Sequence, residues 1–213
     1  MPEVAVVDYG MGNLLSVRRG FEHCGATVMV TSDPDIILSA PRVVLPGVGA
    51  FKDGMAELRS QGLDVTVRKV VAQGSILLGI CLGMQMLLDR SVEFSNTEGL
   101  GIIPGSVVPV PSTTTNGFSQ KIPHIGWNNL VLPPGFENWE ETLLQDVNPG
   151  EAVYFVHSFM AVPKNPKHCI ASCHYGGVSV PAIIGRNNIY GCQFHPEKSG
   201  VVGLKILRRF LSL

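Results

Sequence analysis

Charge is scarce in this chain: 15% of its 213 residues are charged, 16 basic against 17 acidic, with the two signs interspersed. No basic stripe is available to neutralise a phosphate backbone, so nucleic acid is not an expected partner. Long apolar runs are lacking as well, none approaching the roughly 20 residues a membrane-spanning helix needs, and no membrane association is expected. Met1 to Asp8 has no basic region of the kind that opens a secretory signal. Cysteines are few for the length and odd in number. Cys24, Cys81, Cys169, Cys173 and Cys192 sit at irregular spacing and form no disulfide framework, so a reducing, cytoplasmic location is expected. No internal repeat or low-complexity run is present. What remains is a chain with 45% apolar residues and 39 Gly or Pro, the balance of a globular protein with many turns, and residues 1–213 are expected to form a single domain.

The first half alternates short apolar runs with helical stretches. Val4 to Asp8, Thr27 to Thr31, Arg42 to Leu45 and Ser75 to Ile80 read as strands, and Asn13 to Cys24 and Leu82 to Arg90 as helices. The strands are almost continuously apolar, as strands shielded on both faces by crossover helices should be. After about Leu100 the texture changes to β-like runs: Val107 to Val110, Ala152 to Phe159, Cys169 to Tyr175, Val178 to Ile184 and Ile189 to Phe194. Tyr175-Gly176-Gly177-Val178 and Gly185 to Asn188 supply tight reversals, so these runs are expected to form antiparallel hairpins. Pro111 to Gln120 reads as a surface loop and Val201 to Leu211 as a final amphipathic helix. The predicted fold class is α/β, with a mostly parallel central sheet, flanking helices and an antiparallel C-terminal extension.

Gly79-Ile80-Cys81-Leu82-Gly83 joins a buried strand to a helix and is the cysteine counterpart of the Gly-x-Ser-x-Gly nucleophile elbow, where glycines allow strand and helix to approach closely. A cysteine in the first turn of a helix faces unpaired N–H groups and the positive end of the helix dipole, which favour thiolate. The alternative is that Cys81 is a small buried core residue. His195-Pro196-Glu197 offers an imidazole and a carboxylate two positions apart, on one side of an extended segment. His195 can then exchange a proton with Cys81 while Glu197 holds the useful tautomer. Pro46-Gly47-Val48-Gly49 follows a buried strand and can aim backbone N–H groups at a developing oxyanion, although an ordinary turn would look the same.

Together these three segments, with Met84, Gln85 and Lys198-Ser199-Gly200, resemble the class I glutamine amidotransferases over nearly the whole chain. Asp8-Tyr9-Gly10-Met11-Gly12-Asn13-Leu14, Pro123-His124-Ile125-Gly126-Trp127-Asn128 and Tyr154-Phe155-Val156-His157-Ser158-Phe159 resemble more narrowly the glutaminase subunits of imidazole glycerol phosphate synthase. The resemblance implies a flavodoxin-like fold and a glutaminase that forms a glutamyl thioester on Cys81. His195 would be the proton carrier, oriented by Glu197, with Val48 and Gly49 in the oxyanion loop. It implies that Gly49, Leu82, Gln85, His157 and Ser158 line the glutamine site. Asn13, Trp127, Tyr154 and Lys198 match positions at or near the face that docks on a cyclase subunit, in a heterodimer whose partner accepts the ammonia and stimulates the glutaminase when it binds its nucleotide ligand. No cofactor or metal is expected.

The same residues admit other readings. A dinucleotide loop at Asp8 to Asn13 fails because Leu15 stands where the third glycine belongs. His168, Cys169, Cys173 and His174 are metal-ligand types on a hairpin strand, where the histidines need not converge with the cysteines. Glutaminases of anthranilate or guanylate synthesis usually have His where this chain has Met84. A paralogous glutaminase serving another synthase, such as one amidating a surface sugar, and a catalytically silent binding module with the same fold stay open.

Overall fold

The computed structural model describes residues 2–213. Strand and helix alternate first: β1 (Val4–Val7), α1 (Leu14–His23), β2 (Val28–Thr31), α2 (Pro34–Ser39), β3 (Arg42–Leu45), α3 (Phe51–Ser60), α4 (Leu63–Ala72), β4 (Ile76–Ile80) and α5 (Leu82–Met86). Strands then dominate: β5 (Arg90–Ser91), β6 (Thr97–Glu98), β7 (Gly105–Pro109), β8 (His124–Asn129), β9 (Ala152–His157), β10 (Phe159–Pro163), β11 (Cys169–Tyr175), β12 (Val178–Arg186) and β13 (Ile189–Cys192), before the final helix α6 (Gly200–Ser212).

Seven strands form the central sheet in the order β11-β12-β13-β4-β3-β1-β2. From β13 to β2 every neighbour is parallel, while β12 and β11 extend the sheet antiparallel. The expected architecture is therefore observed: the parallel part has the flavodoxin-like order, with its last strand supplied late in the chain by β13. The Gly176–Gly177 reversal joins β11 to β12, with Tyr175 paired to Val178.

Strand periodicity divides the interior between the two faces of this sheet. Val4 and Val6 of β1 point into a layer closed by α1 and α6, where Val17 and Phe21 meet Ile206, Leu207 and Phe210. Ala5 and Val7 point into the opposite layer, closed by α2, α3 and α4 through Ile37, Met55, Leu58, Leu63, Val67 and Val70. The helices follow from spacing and caps. Leu63, Val67 and Val70 recur at helical intervals, and Asp33 caps α2 by accepting the Asp35 N–H at 2.9 Å, with Pro34 at the first position.

Two expectations are corrected. The helix read over Leu82 to Arg90 ends at Met86, because Asp89 is captured by the start of β7: its N–H donates to the Gly105 carbonyl at 3.1 Å, and its carboxylate accepts the Gly105 N–H at 2.9 Å. The run read over Ala152 to Phe159 ends as a strand at His157, and after Ser158 a new strand, β10, opens at Phe159 and continues beyond the run to Pro163. β9 pairs with β8 in a two-stranded ribbon, whereas β10 pairs with β7 in a separate four-stranded sheet.

Candidate active site

In an open parallel sheet the loops at the carboxyl ends of the strands face a common crevice. Here β1, β3, β4 and β13 deliver Asp8 to Asn13, Pro46 to Ala50, Cys81 and Gln193 to Glu197 to that edge. The β4–α5 turn is as tight as a nucleophile elbow requires. Cys81 has φ 55° and ψ −110°, a conformation that side chains rarely adopt, and its N–H donates to the Cys192 carbonyl at 2.7 Å. Glycine on either side is obligatory: a Cβ on Gly79 would sit 2.7 Å from the Gly83 carbonyl oxygen, and one on Gly83 would overlap the Leu45 carbonyl.

His195 follows β13 and is 3% exposed. Its Nδ1 lies 2.7 Å from Glu197 Oε1, which leaves Nε2 to face Cys81. Burial alone would push the imidazole pKa down. Hydrogen bonding to the Cys81 sulfur and the Glu197 carboxylate, and the charges of both, outweigh it and raise the ring to about 9. The segment is stapled to β9, since the His195 N–H donates to the Tyr154 carbonyl at 3.1 Å and Ser199 Oγ accepts the Tyr154 N–H at 3.0 Å.

The loop after β3 lies against the helix that follows Cys81. The Leu82 N–H donates to the Gly47 carbonyl at 3.3 Å. In a planar trans peptide, the Val48 N–H points the opposite way from the Gly47 oxygen. In this arrangement Val48 does not present a donor beside Leu82, and the Leu82 donor is already used. Tyr9, fully buried, donates its hydroxyl to the Pro46 carbonyl at 2.9 Å and anchors the loop one peptide earlier.

These elements enclose a cleft of about 400 Å³ lined by Val48, Gly49, Cys81, Leu82, Gln85, Glu93, His157, Ser158, His195 and Lys198, among others. Thiol, imidazole and carboxylate in this order provide a nucleophile, a proton carrier and its orienter, the set for acyl transfer from an amide or ester. The profile of the Glutamine amidotransferase class-I family matches residues 5–212. The chain belongs to the class-I glutamine amidotransferases. It is 51% identical over 213 residues to imidazole glycerol phosphate synthase subunit HisH 1 of Legionella pneumophila (strain Lens), covering all of both chains. It is 46% identical over 210 residues to the HisH subunit of that synthase from Geobacillus sp. (strain WCH70), covering 99% of this chain and 96% of the other. Among solved structures, PurLQS from Thermotoga maritima aligns with a TM-score of 0.75 at 20% identity, over 99% of this chain and 98% of that one, a likeness of fold.

Of the residues that the amidotransferase resemblance nominated, Val48, Gly49, Cys81, Leu82, Gln85, His157, Ser158, His195 and Lys198 meet at the cleft, with Glu197 behind His195. Trp127 and Tyr154 stand outside it, facing each other across the β8–β9 ribbon with ring centroids 6.1 Å apart, and Asn13 lies at the start of α1. Sequence reasoning missed Glu93. This carboxylate is 8% exposed, lines the cleft and accepts the Phe51 N–H at 2.7 Å. It belongs to no periodic run or motif, so only the fold reveals it. Gln193, fully buried, reads in the sequence only as part of a strand; its Oε1 accepts the Gln85 amide N–H at 3.0 Å.

Proposed function

We propose that this amidotransferase is the glutaminase subunit of an imidazole glycerol phosphate synthase, releasing ammonia from glutamine for a cyclase subunit in histidine biosynthesis. The observation that carries the chemistry is that Cys81 and His195 line one cleft at the carboxyl edge of the sheet, with the Glu197 carboxylate 2.7 Å behind His195 Nδ1. The full-length likeness to proteins named as subunits of that synthase supports the assignment of the partner. The five free cysteines fit the cytoplasm, and none of the helices described is long and apolar enough to cross a membrane. One sheet shared by both apolar layers supports a single domain.

Cys81 Sγ attacks the side-chain amide carbon of glutamine, and the carbonyl oxygen takes up negative charge. His195, oriented by Glu197, passes a proton to the departing nitrogen, so that ammonia leaves and a glutamyl thioester remains. The same imidazole then takes a proton from water, whose hydroxide displaces Cys81 and yields glutamate. Glu93 gives the substrate α-ammonium a carboxylate partner, and Gln85, His157 and Ser158 line the amino-acid end. The oxyanion requires donors, and rotation of the Gly47–Val48 peptide both frees the Leu82 N–H and turns the Val48 N–H toward the site. A chain that rests with this peptide turned away is a slow glutaminase until its partner shifts the equilibrium.

The test is glutamate release from glutamine by the chain alone, with the cyclase subunit, and with that subunit plus its ribonucleotide ligand. Strong stimulation by the liganded cyclase, lost in Cys81→Ala, is expected. Cys81-dependent hydrolysis that no cyclase stimulates would reassign the chain to another synthase, and hydrolysis indifferent to Cys81→Ala would remove the chemistry.

A further inference from the structure

His124 on β8 and His157 on β9 are cross-strand partners, 2% and 6% exposed. His124 Nδ1 lies 3.0 Å from His157 Nε2. Two ring nitrogens in contact share one proton, and the groups at either end decide which ring supplies it. At one end the Phe159 carbonyl, an acceptor only, lies 2.9 Å from His157 Nδ1. His157 therefore carries its proton on Nδ1 and presents a lone pair at Nε2. At the other end Asn128 Nδ2 lies 3.3 Å from His124 Nε2. That amide cannot be turned round: Nδ2 also donates to the His174 carbonyl at 2.9 Å, and Oδ1 accepts the Asn129 N–H at 2.8 Å. His124 Nε2 is thus the bare nitrogen, its proton sits on Nδ1, and every bond runs one way, from Asn128 through His124 and His157 to Phe159.

Both rings are kept neutral by burial, which pushes each pKa down to about 4. The His124 ring is stacked between Phe155 and Tyr175, with centroids 4.9 and 4.0 Å away. The Phe159 carbonyl on which the relay ends is also the acceptor for Gln85 Nε2 at 3.1 Å. It stands at the break where the chain leaves the β8–β9 ribbon for the four-stranded sheet, and Val156, His157, Ser158 and Phe159 all line the cleft.

We infer that His124 is a positioning residue for the glutaminase reaction: its Nδ1–H, aimed by Asn128, locks His157 in the one tautomer that ties the Ser158 break to the cleft wall. This rests on the cleft being the glutamine site. His124 acts through His157, at the amino-acid end of the substrate, so glutamine binding is what it sets.

Two substitutions separate this role from packing. His124→Phe keeps a flat ring between Phe155 and Tyr175 and removes both nitrogens. His124→Gln gives up the stacked ring and keeps an acceptor for Asn128 and a donor for His157. With glutaminase assayed in the cyclase complex, H124F is expected to raise the KM for glutamine roughly ten-fold through the unpaired His157 nitrogen, with kcat within about two-fold, and H124Q to keep KM near native. The reverse order, or equal effects in the two variants, overturns the inference. Imidazole ¹⁵N shifts of the native chain at neutral pH read the relay with no variant at all. Two neutral rings protonated on Nδ1 are expected, and an Nε2–H tautomer or an imidazolium at either ring overturns it. That readout needs no turnover, so a failure of the glutaminase reading shows separately, as hydrolysis that survives Cys81→Ala.

Discussion

His195 stands between the Cys81 sulfur and the Glu197 carboxylate, and the same contacts that equip it for proton transfer link it to stability. Its pKa of about 9 lies above the ordinary 6.5 that it regains on unfolding, so between these values the native state holds a proton the unfolded chain has lost. That contribution is complete below about pH 6.5 and disappears as pH rises through about 9. The buried pair His124 and His157 has the opposite sign: with both near 4 instead of 6.5, their contribution is complete above pH 6.5 and is lost as pH falls through about 4. We expect the urea midpoint to peak near neutrality and fall on both sides. His195→Gln should flatten only the alkaline limb; an alkaline slope unchanged in that variant would mean that His195 does not carry the proton. Glu93 supports a second expectation at this scale. Glu93→Gln keeps an acceptor for the Phe51 N–H but removes the cleft carboxylate proposed above as partner of the α-ammonium. The loss of one charge-assisted hydrogen bond predicts a KM rise of about 10- to 100-fold, with a smaller effect on kcat, in steady-state hydrolysis. Cys81, His195 and Glu197 stand out in the sequence because the glycine elbow marks Cys81 and His195-Pro196-Glu197 offers a base and its orienter two positions apart. Glu93 does not, because what brings it to the cleft is tertiary packing against the start of α3.

At the scale of elements, the elbow depends on one contact between backbones. Gly83 lies against the Leu45 carbonyl with no room for a methyl group, so Gly83→Ala must push α5 away from β3 or break the turn. Overpacking of this kind costs about 1–3 kcal/mol, and we expect a lowered urea midpoint together with loss of hydrolysis, since Cys81 and the Leu82 N–H move with α5. Near-native stability would show that the turn relaxes freely. The strands of the central sheet and the first and last helices are readable because apolar periodicity records burial directly. The end of α5 is not: Leu87, Leu88 and Asp89 continue a helical run acceptably, and what stops it is a remote pairing, Asp89 with Gly105. The break at Ser158 is hidden for the same reason. The apolar run continues through Ser158 to Phe159, and only the separate partners of β9 and β10, β8 and β7, show that Phe159 opens a new strand.

For the whole molecule, the proposed function requires docking at the surface to reach the loop whose Gly47 carbonyl occupies the Leu82 N–H. The β8–β9 ribbon offers a route with two ends. One carries the exposed Trp127, 59% accessible, packed on Tyr154 and lying over Gly200, where an added Cβ would be 4.0 Å away. Tyr154, at that same end, is fastened to the His195–Ser199 segment, and the other end, where His124 pairs with His157, reaches the cleft through His157. A large exposed indole is the type of residue that anchors an interface. Because Trp127 does not itself line the cleft, Trp127→Ala should leave basal hydrolysis by the isolated chain unchanged. In the complex the truncation of one anchor, about 2 kcal/mol or roughly thirty-fold in Kd, should abolish stimulation at cyclase concentrations near the native Kd and restore it when the cyclase is raised in proportion. Titration calorimetry with parallel assays separates the cases: a weakened Kd with full stimulation at saturation makes Trp127 an anchor, a native Kd with stimulation lost makes it part of the coupling to the Gly47–Val48 peptide, and a native Kd with native stimulation removes it from the interface.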